Sequence, residues 1–160
     1  MENGPGPQAD AEPRPLLYLD DLKVGQRFTT ASQTMDTAEI KAFAAQFDPQ
    51  PFHLSEEAAK DSLFGGLAAS GWHTAAVTMR LLVETGPRLA GGVIGASGEV
   101  KWPQPTRPGD TLHVESEVLA VTPSRSRPER GIVAMRSTTF NQRDEVVQLM
   151  TANLVVARRT

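Results

Sequence analysis

The sequence predicts an α+β domain in which an antiparallel sheet of roughly five strands wraps around one long central helix. Three observations predict it. A helical span from about Gly71 to Thr85 carries apolar side chains on nearly every side. Four β-rich runs follow it in succession, separated by turn residues. One shorter β-rich run and one amphipathic helix come before it. A helix without a polar face has to be enclosed, and strands joined by hairpins form the antiparallel sheet that can enclose it.

Taken in order, Met1 to Pro15 offers Pro, Gly and acidic residues and no apolar run. It is expected as a flexible tail over residues 1–15, with a single folded domain over residues 16–160. Arg27 to Met35 reads as the first strand. Asp36 then caps a helix, with Glu39 as its capping-box partner and Met35 and Ile40 at the positions of a hydrophobic staple. Ile40, Phe43, Ala44 and Phe47 recur at helical spacing and form one apolar stripe. Pro49 ends this helix, because the residue before a proline is pushed out of helical geometry. The segment from Asp48 to His53, braced by Pro49 and Pro51, is expected to be stiff and extended. Ser55 caps a short helix that runs through Lys60, with Glu56 and Glu57 in its first turn.

The Gly- and Ala-rich segment from Phe64 to Ser70 leads into the central helix. Beyond Gly86 and Pro87, Val93 to Trp102, Thr111 to Val121, Ile132 to Asn141 and Glu145 to Ala157 read as strands that can pair by hairpins. Leu112, Val114 and Val118 alternate with His113, Glu115 and Glu117, the pattern of a half-buried strand. Pro108, Gly109 and Asp110 form one turn, and Ser124 to Gly131 forms a longer basic loop.

Composition excludes several function classes. The 160 residues are 39% hydrophobic and 22% charged, which suits one domain with an ordinary core. A net charge of −3 gives no electrostatic footprint for nucleic acid or an anionic membrane. The absence of cysteine removes disulfides, thiolate nucleophiles and Cys-based zinc sites together. The histidines at 53, 73 and 113 are too scattered for a metal cluster, so no metal site is expected. No signal-peptide pattern and no bilayer-length apolar run occur, so the expected location is the cytoplasm.

The residues with chemical potential cluster between positions 48 and 71. Asp48 and His53 place a carboxylate and an imidazole close together, an acid/base pair that can act near neutral pH. The same spacing is satisfied by Asp48 as a helix-terminal cap and His53 on the surface. Gly71 opens the central helix, where unpaired N–H groups and the positive end of the dipole suit an oxygen that gains negative charge. Gly65, Gly66 and Gly71 equally suit tight turns and close packing. His73 fits a hydrogen-bonded core position, His113 the polar face of a strand, and Arg125, Arg127 and Arg130 a solvated loop.

The segment Phe47-Asp48-Pro49-Gln50-Pro51-Phe52-His53 resembles the Asp-x-Asn-Pro-x-His motif of the MaoC-like dehydratases, the (R)-specific enoyl-CoA hydratase group of the hot-dog fold superfamily. Phe64 to Gly71 resembles that family's approach to its central helix. Val100-Lys101-Trp102, Pro105 and Pro108-Gly109-Asp110 resemble the strand and turn that follow it. The similarity covers about Leu17 to Arg158. It implies a hot-dog domain that hydrates a trans-2-enoyl thioester of CoA or acyl-carrier protein to the (3R)-hydroxyacyl product, with no cofactor. It implies that Asp48 and His53 activate a water and that the Gly71 N–H polarises the thioester carbonyl. It places Ser70 and Gln50 in the substrate-binding group, and it implies a homodimer or higher homo-oligomer. Two positions depart from the pattern. Gln50 stands where Asn is usual, and Ser70 precedes Gly71 where many relatives carry His. A hot-dog thioesterase and a non-catalytic acyl-CoA-binding subunit of a heterodimer are the rival expectations. The Asp48/His53 pair speaks against both.

Overall fold

The computed structural model describes residues 13–160. Residues 1–12 of the expected tail lie outside the described residues. The last part of that tail is anchored, since the Arg14 guanidinium donates to the Gly86 carbonyl. The elements are β1 (Leu16–Leu17), a 3₁₀ turn (Leu19–Asp21), β2 (Arg27–Thr29), β3 (Gln33–Thr34), α1 (Thr37–Phe47), α2 (Pro51–Leu54), α3 (Glu56–Lys60), α4 (Gly71–Thr85), β4 (Arg88–Leu89), β5 (Ile94–Lys101), β6 (Thr111–Pro123), β7 (Arg130–Phe140) and β8 (Val146–Ala157). The main sheet runs in the order β2-β6-β7-β8-β5, with β3 also paired to β6. All its pairings are antiparallel. The fold is the α+β hot-dog, an antiparallel sheet curved about a central helix.

The helix signals act as the sequence predicts. The Asp36 carboxylate accepts the Glu39 N–H at 3.2 Å, and Met35 and Ile40 are buried in one cluster. Ser55 Oγ accepts the Ala58 N–H, also at 3.2 Å. α4 covers the predicted span and lays Val77, Leu81 and Leu82 against Leu112, Val114 and Val147 of the sheet. A second cluster under the other half of the sheet joins Leu19, Leu22 and Leu89 to Val118, Val133 and Val156. Hydroxyl pairs satisfy the polar groups buried between them, Thr78 with Thr139 at 2.7 Å and Ser116 with Ser137 at 2.9 Å.

Four expectations need correction. The predicted first strand is two short strands, β2 and β3, separated at residues 30–32. β5 does not form a hairpin with β6 but pairs with β8 at the sheet edge. The connection over residues 102–110 contains Pro103, Pro105 and Pro108, which hold it extended and carry the chain away instead of turning it back. The segment from Asp48 to His53 is not extended throughout, because Pro51 takes the first position of the one-turn helix α2. A proline there costs no backbone bond and is pre-set for helical φ. Finally, α4 is not enclosed on every side. Trp72, Met79 and Val83 form an apolar stripe that is 61%, 41% and 54% exposed, because a single sheet covers only one side of the helix.

Candidate active site

Asp48 and His53 meet, and backbone geometry brings them together. Asp48 is the C-terminal cap of α1, with its own N–H bonded to the Ala44 carbonyl. α2 then turns His53 back so that its Nε2 lies 3.3 Å from Asp48 Oδ2. His53 Nδ1 lies 2.6 Å from the Ala68 carbonyl oxygen. A carbonyl can only accept, so Nδ1 carries the proton and Nε2 presents its lone pair toward the carboxylate in the neutral ring. In that form the pair offers two acceptors that a molecule with two protons to give, such as water, could bridge.

The carboxylate is fixed from both sides. Gln50 Nε2 donates to Oδ1 at 2.6 Å, and Ser70 Oγ donates to Oδ2 at 2.7 Å. Burial opposes the charge, but the Ser70 hydroxyl, the Gln50 amide and the attraction of the His53 ring in its protonated form together hold the Asp48 carboxyl below the ordinary range. Gln50 thus reaches the position that the shorter Asn would serve. Ser70 is fully buried, with its hydroxyl turned to the Asp48 carboxylate.

Gly71 is the first residue of α4, and its N–H donates to no described residue. The reason for glycine here is more specific than the sequence suggests. A Cβ at this position would lie 2.8 Å from the Trp102 indole ring. That ring is itself held, with Nε1 donating to the buried Gln148 Oε1 at 2.9 Å and its plane nearly perpendicular to that of Trp72, ring centroids 5.1 Å apart. A cavity of about 250 Å³ opens beside His53, lined also by Phe64, Gly71, Thr74, Trp102 and Thr106. A second, more apolar cavity of about 290 Å³ lies along the C-terminal half of α4, between Met79, Leu82, Met150 and Leu154. Neither Asp48 nor His53 lines it.

Several supporting groups escaped the sequence reading. Arg107 donates to the Gly66 and Leu67 carbonyls at 2.9 and 3.3 Å and to the Phe64 carbonyl, bracing the loop that delivers the Ala68 carbonyl to His53. Nothing in a sequence marks a backbone carbonyl. Gln148 did carry a signal, because it shares the inward register of Met150, Ala152 and Leu154 along β8. A polar residue among core positions implies a partner, and the partner is Trp102.

The other histidines lie outside the pair. His113 stacks on Phe140 on the outer face of the sheet, 3.9 Å from Glu115, and Arg125, Arg127 and Arg130 are exposed. His73 is buried and stacked on Phe43 with ring centroids 4.7 Å apart, but its Nδ1 has no partner among the described residues. The expected hydrogen bond is therefore absent at that nitrogen among the described residues. Burial pushes the His73 pKa down, against a weaker opposing pull from Glu39. The unfolded chain then binds a proton that the folded chain resists, so stability is full above the usual His pKa and falls as pH drops below it. Urea titrations at about pH 7.5 and about pH 5.5 should show this loss, and His73→Leu should lessen it. An equal loss in the variant would remove His73 as the cause. Among the described residues, no cluster of His, Asp or Glu could hold a metal ion.

With this geometry in place, residues 21–140 match the family described as MaoC like domain. The chain belongs to that family. The crystal structure of the MaoC-like dehydratase from Rhodospirillum rubrum is 66% identical, covers 90% of this chain and 99% of its own, and superposes with a TM-score of 0.88. The uncharacterized protein YdeM of Bacillus subtilis is 36% identical over 80% of this chain and 90% of its own. The 3-hydroxybutyryl-CoA dehydratase of Methylorubrum extorquens is 33% identical over 82% of this chain and 79% of its own.

Proposed function

We propose that the protein is a hydro-lyase that adds water reversibly to a trans-2-enoyl thioester of CoA or acyl-carrier protein, giving the (3R)-hydroxyacyl thioester. The observation that carries this reading is the opposition of Asp48 Oδ2 and His53 Nε2 at 3.3 Å, with the His53 tautomer fixed by Ala68. In hydration, the water held by the pair attacks Cβ and gives up one proton to the pair. The Gly71 N–H stabilises the charge that gathers on the thioester oxygen. The pair returns a proton to Cα, so one hydrogen and one hydroxyl have been added and no electron has been lost or gained. No metal or organic cofactor enters these steps. The name of the M. extorquens relative, a 3-hydroxybutyryl-CoA dehydratase, supports the same reaction class.

The protein is proposed to act as a homodimer. The exposed Trp72, Met79 and Val83 stripe of α4 and the unpaired edge of β5 would both be covered by a second copy. The cytoplasm is the proposed location. Among the described residues, no helix is long and apolar enough to cross a membrane.

The test is the enoyl-thioester absorbance on mixing purified protein with crotonyl-CoA and longer or branched enoyl-CoAs, with free thiol monitored in parallel and the product resolved by chirality. Loss of absorbance without thiol, giving the (3R) product, is the expected result. Thiol release would make the protein a thioesterase, and a (3S) product would refute the stereochemical part.

A further inference from the structure

We infer that Ser70 is a positioning residue that ties the Asp48 carboxylate to the N-terminus of α4 and fixes the oxygen that faces His53 Nε2. This deepens the hydro-lyase reading and uses the same site. Ser70 is the N-cap of α4, and its Oγ accepts the Trp72 N–H at 3.3 Å. That N–H is one of the donors a helix start leaves without an intrahelical partner. A hydroxyl has a single proton. With the Ser70 lone pair turned to the helix, its proton goes to Asp48 Oδ2 at 2.7 Å. The positive end of a 15-residue helix is thus linked to the carboxylate through one buried side chain.

The geometry separates the roles of the two donors to Asp48. Gln50 lies in an exposed segment and holds Oδ1. Ser70 is buried at the head of the central helix and holds Oδ2, the oxygen that faces His53. Hydrogen bonds to the charged form favour that form, so the carboxylate survives at pH values where a solvent-exposed aspartate takes up a proton. Among the described residues, His53 is the titratable group that acts on Asp48. His73, three positions after Ser70, interacts with Glu39 instead.

The decisive measurement is the titration of the Asp48 carboxyl carbon by NMR in the full chain labelled with ¹³C-aspartate, assigned with Asp48→Asn. It needs no substrate, so it separates this inference from the reaction assigned to the site. In Ser70→Ala the Asp48 midpoint should rise above that of the wild type. In Ser70→Thr, which keeps the hydroxyl, it should return toward it. If the protein is a hydro-lyase, the acid limb of kcat/KM should move upward with the same order of variants. kcat should fall roughly tenfold or more, as expected for one lost hydrogen bond to a charged group, with KM little changed. Loss of a helix cap alone would lower Tm and leave the Asp48 midpoint in place, and that result would overturn the inference. Should Ser70→Ala fail to fold, Ser70→Gly, which also lacks the hydroxyl and is tolerated at an N-cap, decides: an Asp48 midpoint above that of the wild type supports the role, and an unchanged one refutes it. A shifted midpoint in a protein that hydrates no enoyl thioester would refute the reaction and leave the positioning role standing.

Discussion

Asp48→Asn and His53→Ala should each lower hydration turnover by about 10²-fold or more while leaving the fold intact. Asp48→Asn keeps the shape but loses the charge and turns one terminal group into a donor, which at the Oδ2 position also meets the Ser70 hydroxyl. A donor facing the water's proton removes one of the two acceptors that hold it. His53→Ala removes the other acceptor and leaves the Ala68 carbonyl without its partner. The two losses should not add, because both groups hold the same water and act as a unit. The double variant should therefore be scarcely slower than the worse single one. Circular dichroism of each variant checks that the fold is retained. A single variant with a near wild-type rate would remove that residue from the mechanism, and full additivity would mean that the two groups act independently.

Gly71→Val should lower kcat/KM by about 10²-fold, because it disturbs the donor proposed for the thioester oxygen. The physical cause is the Trp102 ring, which stands 2.8 Å from where the new Cβ must lie. Trp102 cannot simply swing aside, since Gln148 holds its Nε1 and Trp72 packs against it. Either the ring moves and Gln148 loses its partner, or the head of α4 moves and the Gly71 N–H loses its aim. Overpacking of this kind costs about 1–3 kcal/mol of stability, which urea unfolding would measure. Trp102→Ala combined with Gly71→Ala isolates the indole as the cause. If the clash with the ring is responsible, the double variant should recover part of the stability that Gly71→Ala alone loses. An unaffected rate in folded Gly71→Val would count against the carbonyl-binding role.

The parts of the site that were legible in the sequence are those encoded by local chemistry. Asp36 and Glu39 mark the start of α1 because a side-chain cap acts over three residues. Gly71 to Thr85 was readable as the central helix because its apolar residues sit at every helical angle. The turn chemistry of Pro51 misled, since proline both stiffens extended chain and begins helices, and only the conformation of the next few residues decides between them. β5 misled for a related reason. Its residues are strand-like, but pairing partners are set by where the 102–110 connection delivers the chain, a property of the whole sheet.

Sequence alone determined the fold class, the central helix, the absence of cysteine chemistry and the residue types at positions 48, 53 and 71. These come from periodicity, capping and composition, which act over a few residues along the chain. Tertiary structure decided the tautomer of His53, the hold of Ser70 on Asp48, the Trp102 ring against Gly71 and the open stripe on α4. Each of these is a contact between segments that are distant in sequence, or a face left uncovered by one. Hydrogen bonds and packing at such places depend on distances of a few tenths of an ångström, and only the folded arrangement of helix, sheet and connecting loops sets them.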